Sequence, residues 1–164
     1  MSILQIVHHP NEILETKCKE VTSFDEKLHR LLDNMYDTMV AEDGVGLAAP
    51  QVGISRQIAI VDLGEDEDSE LFELINPRII DEKGNQVDLE GCLSFPGIYG
   101  KVPRAHEIKV KAQDRYGNEY FLHAEDFLAR AIQHEIDHLY GVLFTSKVIE
   151  YVNESDLRDW SEEQ

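Results

Sequence analysis

The order of the predicted elements indicates an α+β fold, because one long helix is followed by several strands and then by a second helix. The chain has 164 residues, a length that suits a single domain spanning residues 1–164 and can bury a substantial core. Hydrophobic residues make up 42% of the chain and charged residues 29%, which is an ordinary globular balance.

The first helix is predicted within the segment TSFDEKLHRLLDNMYDTMVAEDG, residues 22–44. Ser23 and Glu26 have the spacing of a capping box, and Asp43-Gly44 ends the helical pattern. We assign this helix to core packing, because its apolar residues recur at helical intervals. These residues are Leu28, Leu31, Leu32, Met35, Met39 and Val40.

The middle of the chain is predicted to form strands. The segments QIAIVDL (57–63) and LFELINP (71–77) flank the acidic run GEDEDSE (64–70), which we expect to be a solvated loop. The segments EIKVKAQD (107–114) and EYFLHA (119–124) are joined by RYGN, which is typical of a hairpin turn.

A second helix is predicted to begin near Glu125 and to run to Tyr140, with Gly141 as its C-terminal stop. Helical geometry places its residues in two opposite sectors. Arg130, Gln133 and Asp137 lie opposite a sector that contains Phe127, Leu128, Ala131, Ile132 and Leu139 together with His134, Glu135 and His138.

The stretch QHEIDHLYG, residues 133–141, carries a His-Glu-x-x-His motif on this helix. Residues four positions apart lie within about 40° of each other, so His134 and His138 can bind one ion. Glu135 lies close enough to reach a water on that ion, as in metal-dependent hydrolysis. Because burying these polar side chains without partners would be costly, we favour a metal site over a solvated helix.

The third ligand is not fixed by the motif itself. A continuation to His-x-x-Gly-x-x-His would need a histidine at position 144, which is Phe144. Cys92, in EGCLSFPG (90–97), is either a thiolate ligand or a small buried hydrophobic residue. A general zinc metallopeptidase would instead take a downstream glutamate as the ligand. The candidates there are Glu150, Glu154, Glu162 and Glu163.

Charge and cysteine content exclude several classes of protein. The net charge of −18, from 15 basic and 33 acidic residues, disfavours direct nucleic-acid binding. Cys18 and Cys92 are too few for a disulfide framework. No signal peptide or membrane span is evident, so we expect a cytoplasmic protein with reduced thiols. A monomer is expected, because no heptad pattern or large apolar stripe is present.

The segment GVGLAAPQVG, residues 44–53, follows the first helix and reads as a tight loop. Its glycines and alanines allow a ligand or another backbone to approach closely. It lacks the endings of the phosphate-binding glycine motifs. Gln51 is its one side chain able to donate hydrogen bonds.

Together, GVGLAAPQVG, EGCLSFPG and QHEIDHLYG resemble the three motifs of the peptide deformylase family in order and spacing. The resemblance extends from HHP at 8–10 to GVLF at 141–144. It implies sheets packed around a central metal-binding helix, and removal of the N-formyl group from the N-terminal formyl-methionine of newly synthesised polypeptides. It also implies Fe²⁺, with Zn²⁺, Ni²⁺ or Co²⁺ able to substitute, whereas ligand chemistry alone would suggest zinc.

The resemblance implies a role for each motif residue. A metal-bound water would attack the formyl carbonyl, with Glu135 as the general acid and base. Gln51 and the backbone N–H of Leu93 would stabilise the oxyanion. The implied metal ligands are Cys92, His134 and His138.

By motif position, the pocket for the methionine side chain is expected to be lined by Val45, Glu90, Phe127, Arg130 and His134, and Gly46 is a further expected substrate-binding residue. Arg130 stands where some relatives carry an aliphatic residue, so we expect its stem to cover the pocket while its head points to solvent. Glu90 has an alternative role, pairing with an arginine such as Arg104. Small residues at Gly46 and Gly91 would let the site close tightly around the formyl group, and we expect this crowding to reject acetyl groups.

Two alternatives and the question of a partner stay open. One alternative is the zinc metallopeptidase above, and the other is a metal-binding structural or regulatory domain without activity. The substrate implied by the resemblance emerges at the ribosome, which leaves room for a transient contact there. The tail NESDLRDWSEEQ, residues 153–164, is short and acidic and does not favour strong ribosome binding.

Overall fold

The computed structural model describes residues 2–64 and 70–153, and it confirms the α+β fold class. The two α-helices are α1, Glu26–Ala41, and α2, Asp126–Leu139. Single 3-10 turns lie at Glu12–Glu15, Ala49–Val52 and Phe144–Ser146. The strands are β1 Gly46–Ala48, β2 Ile58–Val61, β3 Phe72–Lys83, β4 Gln86–Cys92, β5 Phe95–Arg104, β6 Glu107–Gln113, β7 Glu119–Glu125 and β8 Glu150–Val152.

The strands form two antiparallel sheets on either side of α2. The larger sheet has the order β1-β2-β3-β6-β7, and the smaller has the order β4-β5-β8. All four residues of β2 are buried, because α1 covers one face of the larger sheet and α2 the other. Ile58 and Ile60 pack towards α1, whereas the smaller Ala59 packs with Ala48 towards α2. These small side chains let α2 approach the sheet closely.

Helix α1 is confirmed, but the predicted capping box is wrong. The helix begins at Glu26, and the Asp25 carboxylate accepts a hydrogen bond from the Leu28 backbone N–H at 3.2 Å. Ser23 lies too far upstream to cap it, because Asp25 already occupies the capping position. Val40, predicted on the apolar face, is exposed at the end of the helix.

The middle of the chain contains more strand than the sequence predicted. The strand expected at 71–77 runs on to Lys83, with a register irregularity between Ile75 and Arg78 where Asn76 has φ 51°. Strands β4 and β5 were not predicted, and they place EGCLSFPG in a hairpin. A further short strand, β8, follows the last 3-10 turn. Positions 65–69 and 154–164 lie outside the described residues.

None of the helices in residues 2–64 and 70–153 combines the length and apolar character needed to cross a bilayer.

Candidate functional site

Helix α2 is buried around most of its circumference. His134, Glu135 and His138 face the interior, as the sequence predicted. The predicted division into two sectors is nevertheless wrong, since Arg130 is only 2% exposed and Phe127 is 45% exposed. The reason is that the larger sheet covers one side of α2 while β4 and β5 cover another.

Three potential ligand atoms converge at the inner face of α2. Nε2 of His134 and Nε2 of His138 are 3.3 Å apart, and Sγ of Cys92 is 3.4 Å from Nε2 of His138. Metal–ligand bonds of about 2.0–2.3 Å at tetrahedral angles would separate neighbouring donor atoms by about 3.3–3.6 Å. The residues present therefore fit a first-row divalent ion. Burial, and then the nearby His134, lowers the pKa of His138, which favours the neutral imidazole that a metal requires.

Glu90 on β4 lies behind His134 and fixes its ring. The Glu90 carboxylate is 2.8 Å from Nδ1 of His134, which leaves Nε2 directed at the other donor atoms. Arg104 of β5 donates to both Glu90 oxygens at 2.8 Å, so the alternative pairing considered from the sequence is observed. Burial opposes ionisation of Glu90, but the contacts with Arg104 and His134 outweigh it and lower its pKa.

Arg130 does not extend into solvent, so the expectation for its head group is wrong. Its guanidinium contacts the Glu90 carboxylate and donates to the backbone carbonyl of Gln86 at 3.3 Å. The strand that supplies both partners, β4, was not predicted, and this explains the error.

The Glu135 carboxylate is buried, and the described residues use only part of its hydrogen-bonding capacity. It is 5% exposed, and its Oε1 has no hydrogen-bond partner among residues 2–64 and 70–153. Burial is the main cause that raises the pKa of Glu135 to about 7, against the charge of His134. A buried carboxylate with a free oxygen is suited to exchange a proton with a substrate or a water.

Position 46, in strand β1, is a glycine because a larger residue there would collide with Glu135. A Cβ at Gly46 would lie 2.9 Å from Cδ of Glu135 and would overlap its Oε2. At Gly91, a Cβ would meet the ring of Tyr99 at 2.6 Å. These glycines therefore make room for protein side chains, which differs from the sequence-based argument that they crowd the formyl group.

We expect Gly46→Ala to lower about 100-fold any activity that depends on Glu135, because a displacement of roughly 1 Å at a catalytic group costs that much. The added Cβ would force Glu135 away from its position while leaving the ion ligands in place. Turnover and bound metal should be measured together. Gly44→Ala is the matched control, since the nearest atom to its Cβ would be the flexible end of the Leu93 side chain, at 3.1 Å, and the other neighbours lie at ordinary contact distance. Equal losses in both variants would contradict this explanation.

The Gln51 side chain is held in one orientation. Its Oε1 accepts a hydrogen bond from the Ala48 N–H at 3.0 Å, so its Nε2 must face the other way. That Nε2 donates to Oγ of Ser94 at 3.3 Å and lies 3.4 Å from Sγ of Cys92. The segment predicted as a loop is strand β1 followed by a 3-10 turn, and this turn places the amide beside Cys92.

A cleft of about 560 Å³ opens over these groups. Leu93, in the turn between β4 and β5, lies on its wall. Tyr99 and Leu89 also line the cleft, and neither was predicted because β4 and β5 were not recognised as strands. The cleft brings together the predicted residues Val45, Gly46, Gln51, Glu90, Cys92, Leu93, Phe127, Arg130, His134 and Glu135.

Of the four downstream glutamates, one lies in the described part of the chain. Glu150 lies exposed on β8 and pairs with Lys101 at 3.1 Å. Glu154, Glu162 and Glu163 lie outside the described residues. Within the described part of the chain, the donor set at the two histidines is completed by Cys92.

The family model for polypeptide deformylase matches residues 3–154. The chain belongs to the peptide deformylase family.

Relatives and solved structures agree with this assignment over nearly the whole chain. Peptide deformylase 1 of Bacillus cereus is 60% identical over 157 residues, covering 96% of this chain and 99% of the relative. Peptide deformylase 1 of Bacillus subtilis is 53% identical over 159 residues, covering 97% and 98%. The crystal structure of a peptide deformylase from Legionella pneumophila superposes with a TM-score of 0.86 at 42% identity, covering 90% of this chain and 86% of that one.

Peptide deformylases are metal-dependent hydrolases that remove N-formyl groups from nascent polypeptides. The chain is therefore an enzyme of this class, and its sheets pack around α2 as the resemblance implied. Membership of this family argues against the two alternatives, which were a general zinc peptidase and a metal-binding domain without activity.

Proposed function

We propose that this deformylase holds its ion through Cys92, His134 and His138. The convergence of their three donor atoms carries the proposal, with 3.3 Å between the two imidazole nitrogens and 3.4 Å between Sγ of Cys92 and Nε2 of His138. When bound, the ion supplies a Lewis acid that lowers the pKa of water and makes a nucleophile available near neutral pH. We propose Fe²⁺ as the physiological ion, with Zn²⁺, Ni²⁺ or Co²⁺ able to substitute. One thiolate and two imidazoles suit all of these ions.

Glu135 is the general acid and base in this proposal. Its Oε1, which no described residue hydrogen-bonds, can accept a proton from the attacking water and later deliver it to the leaving amine. Because Glu135 is adjacent to His134 on α2 and packs against β1, it is held between the ligands and the cleft.

Gln51 and the backbone N–H of Leu93 are the oxyanion donors. The formyl oxygen becomes negative as water adds to the carbon, and donors fixed in advance stabilise that charge. The hydrogen bond from Ala48 to Oε1 keeps the Gln51 N–H groups directed at the Cys92 side of the cleft. One such donor is typically worth about 3 kcal/mol.

The methionine side chain is proposed to lie against Val45, Phe127 and the stem of Arg130, beside Gly46. All four residues line the same cleft. Glu90 lines it too, but both of its oxygens are engaged by Arg104 and one also by His134. We therefore assign Glu90 to the support of His134 and not to direct substrate binding.

The cellular setting is also proposed. The chain works as one catalytic domain, as a monomer in the cytoplasm, on N-formylmethionyl nascent peptides. Contact with the ribosome is transient, because the acidic segment 153–164 would be repelled by ribosomal RNA. Direct nucleic-acid binding is not part of the proposal.

Hydrolysis of formyl-Met-Ala-Ser by the anaerobically iron-loaded enzyme tests the proposed function. We expect release of formate, and a rate at least about tenfold higher than for acetyl-Met-Ala-Ser, because an extra methyl group must fit beside the enclosed Glu135. Release should be quantified for both peptides with the same enzyme preparation. Comparable turnover of the two peptides would contradict the proposed selectivity for the formyl group.

A further inference from the structure

Helix α2 and strand β4 meet through two adjacent sets of side-chain contacts. Arg130, His134 and His138 follow one another at intervals of one helical turn, and they lie on one face of α2. On β4, Glu90 contacts Arg130 and His134, and Cys92, two residues further on, contacts His134 and His138. The contacts that Glu90 makes with α2 therefore lie next to the contacts that Cys92 makes with the two histidines.

We propose that Arg130 is a positioning residue for the metal centre, which holds β4 in register with α2 so that Cys92 lies at ligand distance from both histidines. The inference rests on the proposed function, because it takes Cys92, His134 and His138 as the ligands. It gives Arg130 a role beyond lining the methionine pocket.

Arg130 attaches to β4 at two points. One is the carboxylate of Glu90, and the other is the main-chain carbonyl of Gln86, 3.3 Å from the guanidinium. Because the guanidinium is a rigid, planar donor, contacts to a side chain and to the main chain together restrict both sliding and rotation of the strand. A strand displaced by even a fraction of its repeat would carry Cys92 away from the histidines.

Arg104 cannot replace this connection. It holds both oxygens of Glu90 and also Asp137 of α2, at 2.6 Å, but it extends from β5. Arg130 belongs to α2 itself, one turn before His134, and contacts β4 directly. Loss of Arg130 leaves Glu90 paired with Arg104, so no carboxylate is stranded and the protein should still fold.

The burial of Arg130 is not explained by a gain in folding stability. Its side chain is 2% exposed, and its Nε has no hydrogen-bond partner within the described ranges 2–64 and 70–153. Enclosing an incompletely paired charge opposes folding, and an apolar residue could fill the same place without that cost. Such groups can be retained because they select one arrangement of the chain, which here is the alignment of β4 and α2.

The test compares Arg130→Leu and Arg130→Lys with Arg115→Leu as the matched control. Arg115 is also an arginine that binds a glutamate through two nitrogens, but it pairs with Glu73 and Asp33 and shares no contact with the metal centre. Co²⁺ affinity is measured by competition with a chelator, the Co²⁺ absorption spectrum reports the ligand set, and thermal unfolding reports stability.

We expect Arg130→Leu to weaken Co²⁺ binding about tenfold, within the range known for residues behind metal ligands, with the three-ligand spectrum retained. Arg130→Lys should recover part of this loss, because it restores the charge but reaches only one attachment point. Arg115→Leu should lower the unfolding temperature without changing Co²⁺ affinity.

The proposal is overturned if Arg130→Leu binds Co²⁺ as the wild type does, including the case in which only KM for the peptide rises. It is also overturned if Arg115→Leu loses affinity equally. Should Arg130→Leu not fold, Arg130→Lys decides, because unchanged affinity in that variant contradicts the role. Failure of the proposed function would be seen separately, as a wild-type enzyme that binds Co²⁺ through other ligands or does not release formate.

Discussion

Replacing Glu135 with Ala should retain the ion and lower kcat/KM for formyl-Met-Ala-Ser by about 10²–10⁴-fold, the range that proton transfer by a positioned group contributes. The change removes the carboxylate whose Oε1 has no partner elsewhere in the described protein, and it leaves the three candidate ligands in place. Formate release and metal content should be measured on one preparation.

Glu135→Gln is the matched control for packing. Glu135 fits tightly against Gly46, so truncation to Ala opens a space that glutamine still fills. We expect both variants to be metal-loaded and to show this same loss of activity, because neither can accept a proton. A kcat/KM close to that of the wild type in either variant would exclude Glu135 as the general base. An inactive wild type that holds metal would instead agree with a structural or regulatory domain.

Replacing Cys92 with Ser should remove most of the metal and, with it, the activity. Residues behind a metal ligand are typically worth 10–100-fold in affinity, so a ligand itself should be worth more than about 100-fold. Serine is similar in size but does not present a thiolate, and the two histidines are left with a weaker donor. The measurement is metal content after dialysis, followed by formate release with and without added Fe²⁺.

Two variants serve as controls for Cys92→Ser. Cys18→Ser alters the other cysteine, which lies in the core beside α2 and whose pKa is raised by burial. Glu150→Gln tests the downstream glutamate, which pairs with Lys101. Both should keep their metal and their activity. Metal loss in Glu150→Gln with retention in Cys92→Ser would reverse the assignment and favour a glutamate ligand.

Helix α2 was predictable because its signal is local. Spacing within α2 places His134, Glu135 and His138 on adjoining positions of one surface, whatever surrounds the helix. Strand β2 and the hairpin of β6 and β7 were predictable for the same reason. The position of Cys92 could not be decided from spacing, since a thiolate ligand and a small core residue look alike in a sequence.

The errors arose where tertiary packing overrides a local pattern. Arg130 was placed on the solvent side because one face of α2 was assumed to be open, and the strand that covers it was not recognised. Phe127 was placed inside on the same assumption, although it lies at the mouth of the cleft. In β4 and β5, glycine and proline conceal the alternation that identifies a strand. The cap at Asp25 was missed because serine and aspartate are equally good at that position.

The cleft is assembled from residues near positions 46–51, 90–93 and 134–138, which are far apart along the chain. Translation proceeds from the N-terminus, so the strand with the sulfur leaves the ribosome well before the helix with the imidazoles. A partly made copy therefore carries only part of the proposed metal centre. On this assignment, each new molecule becomes competent only after α2 has emerged and docked against the two sheets.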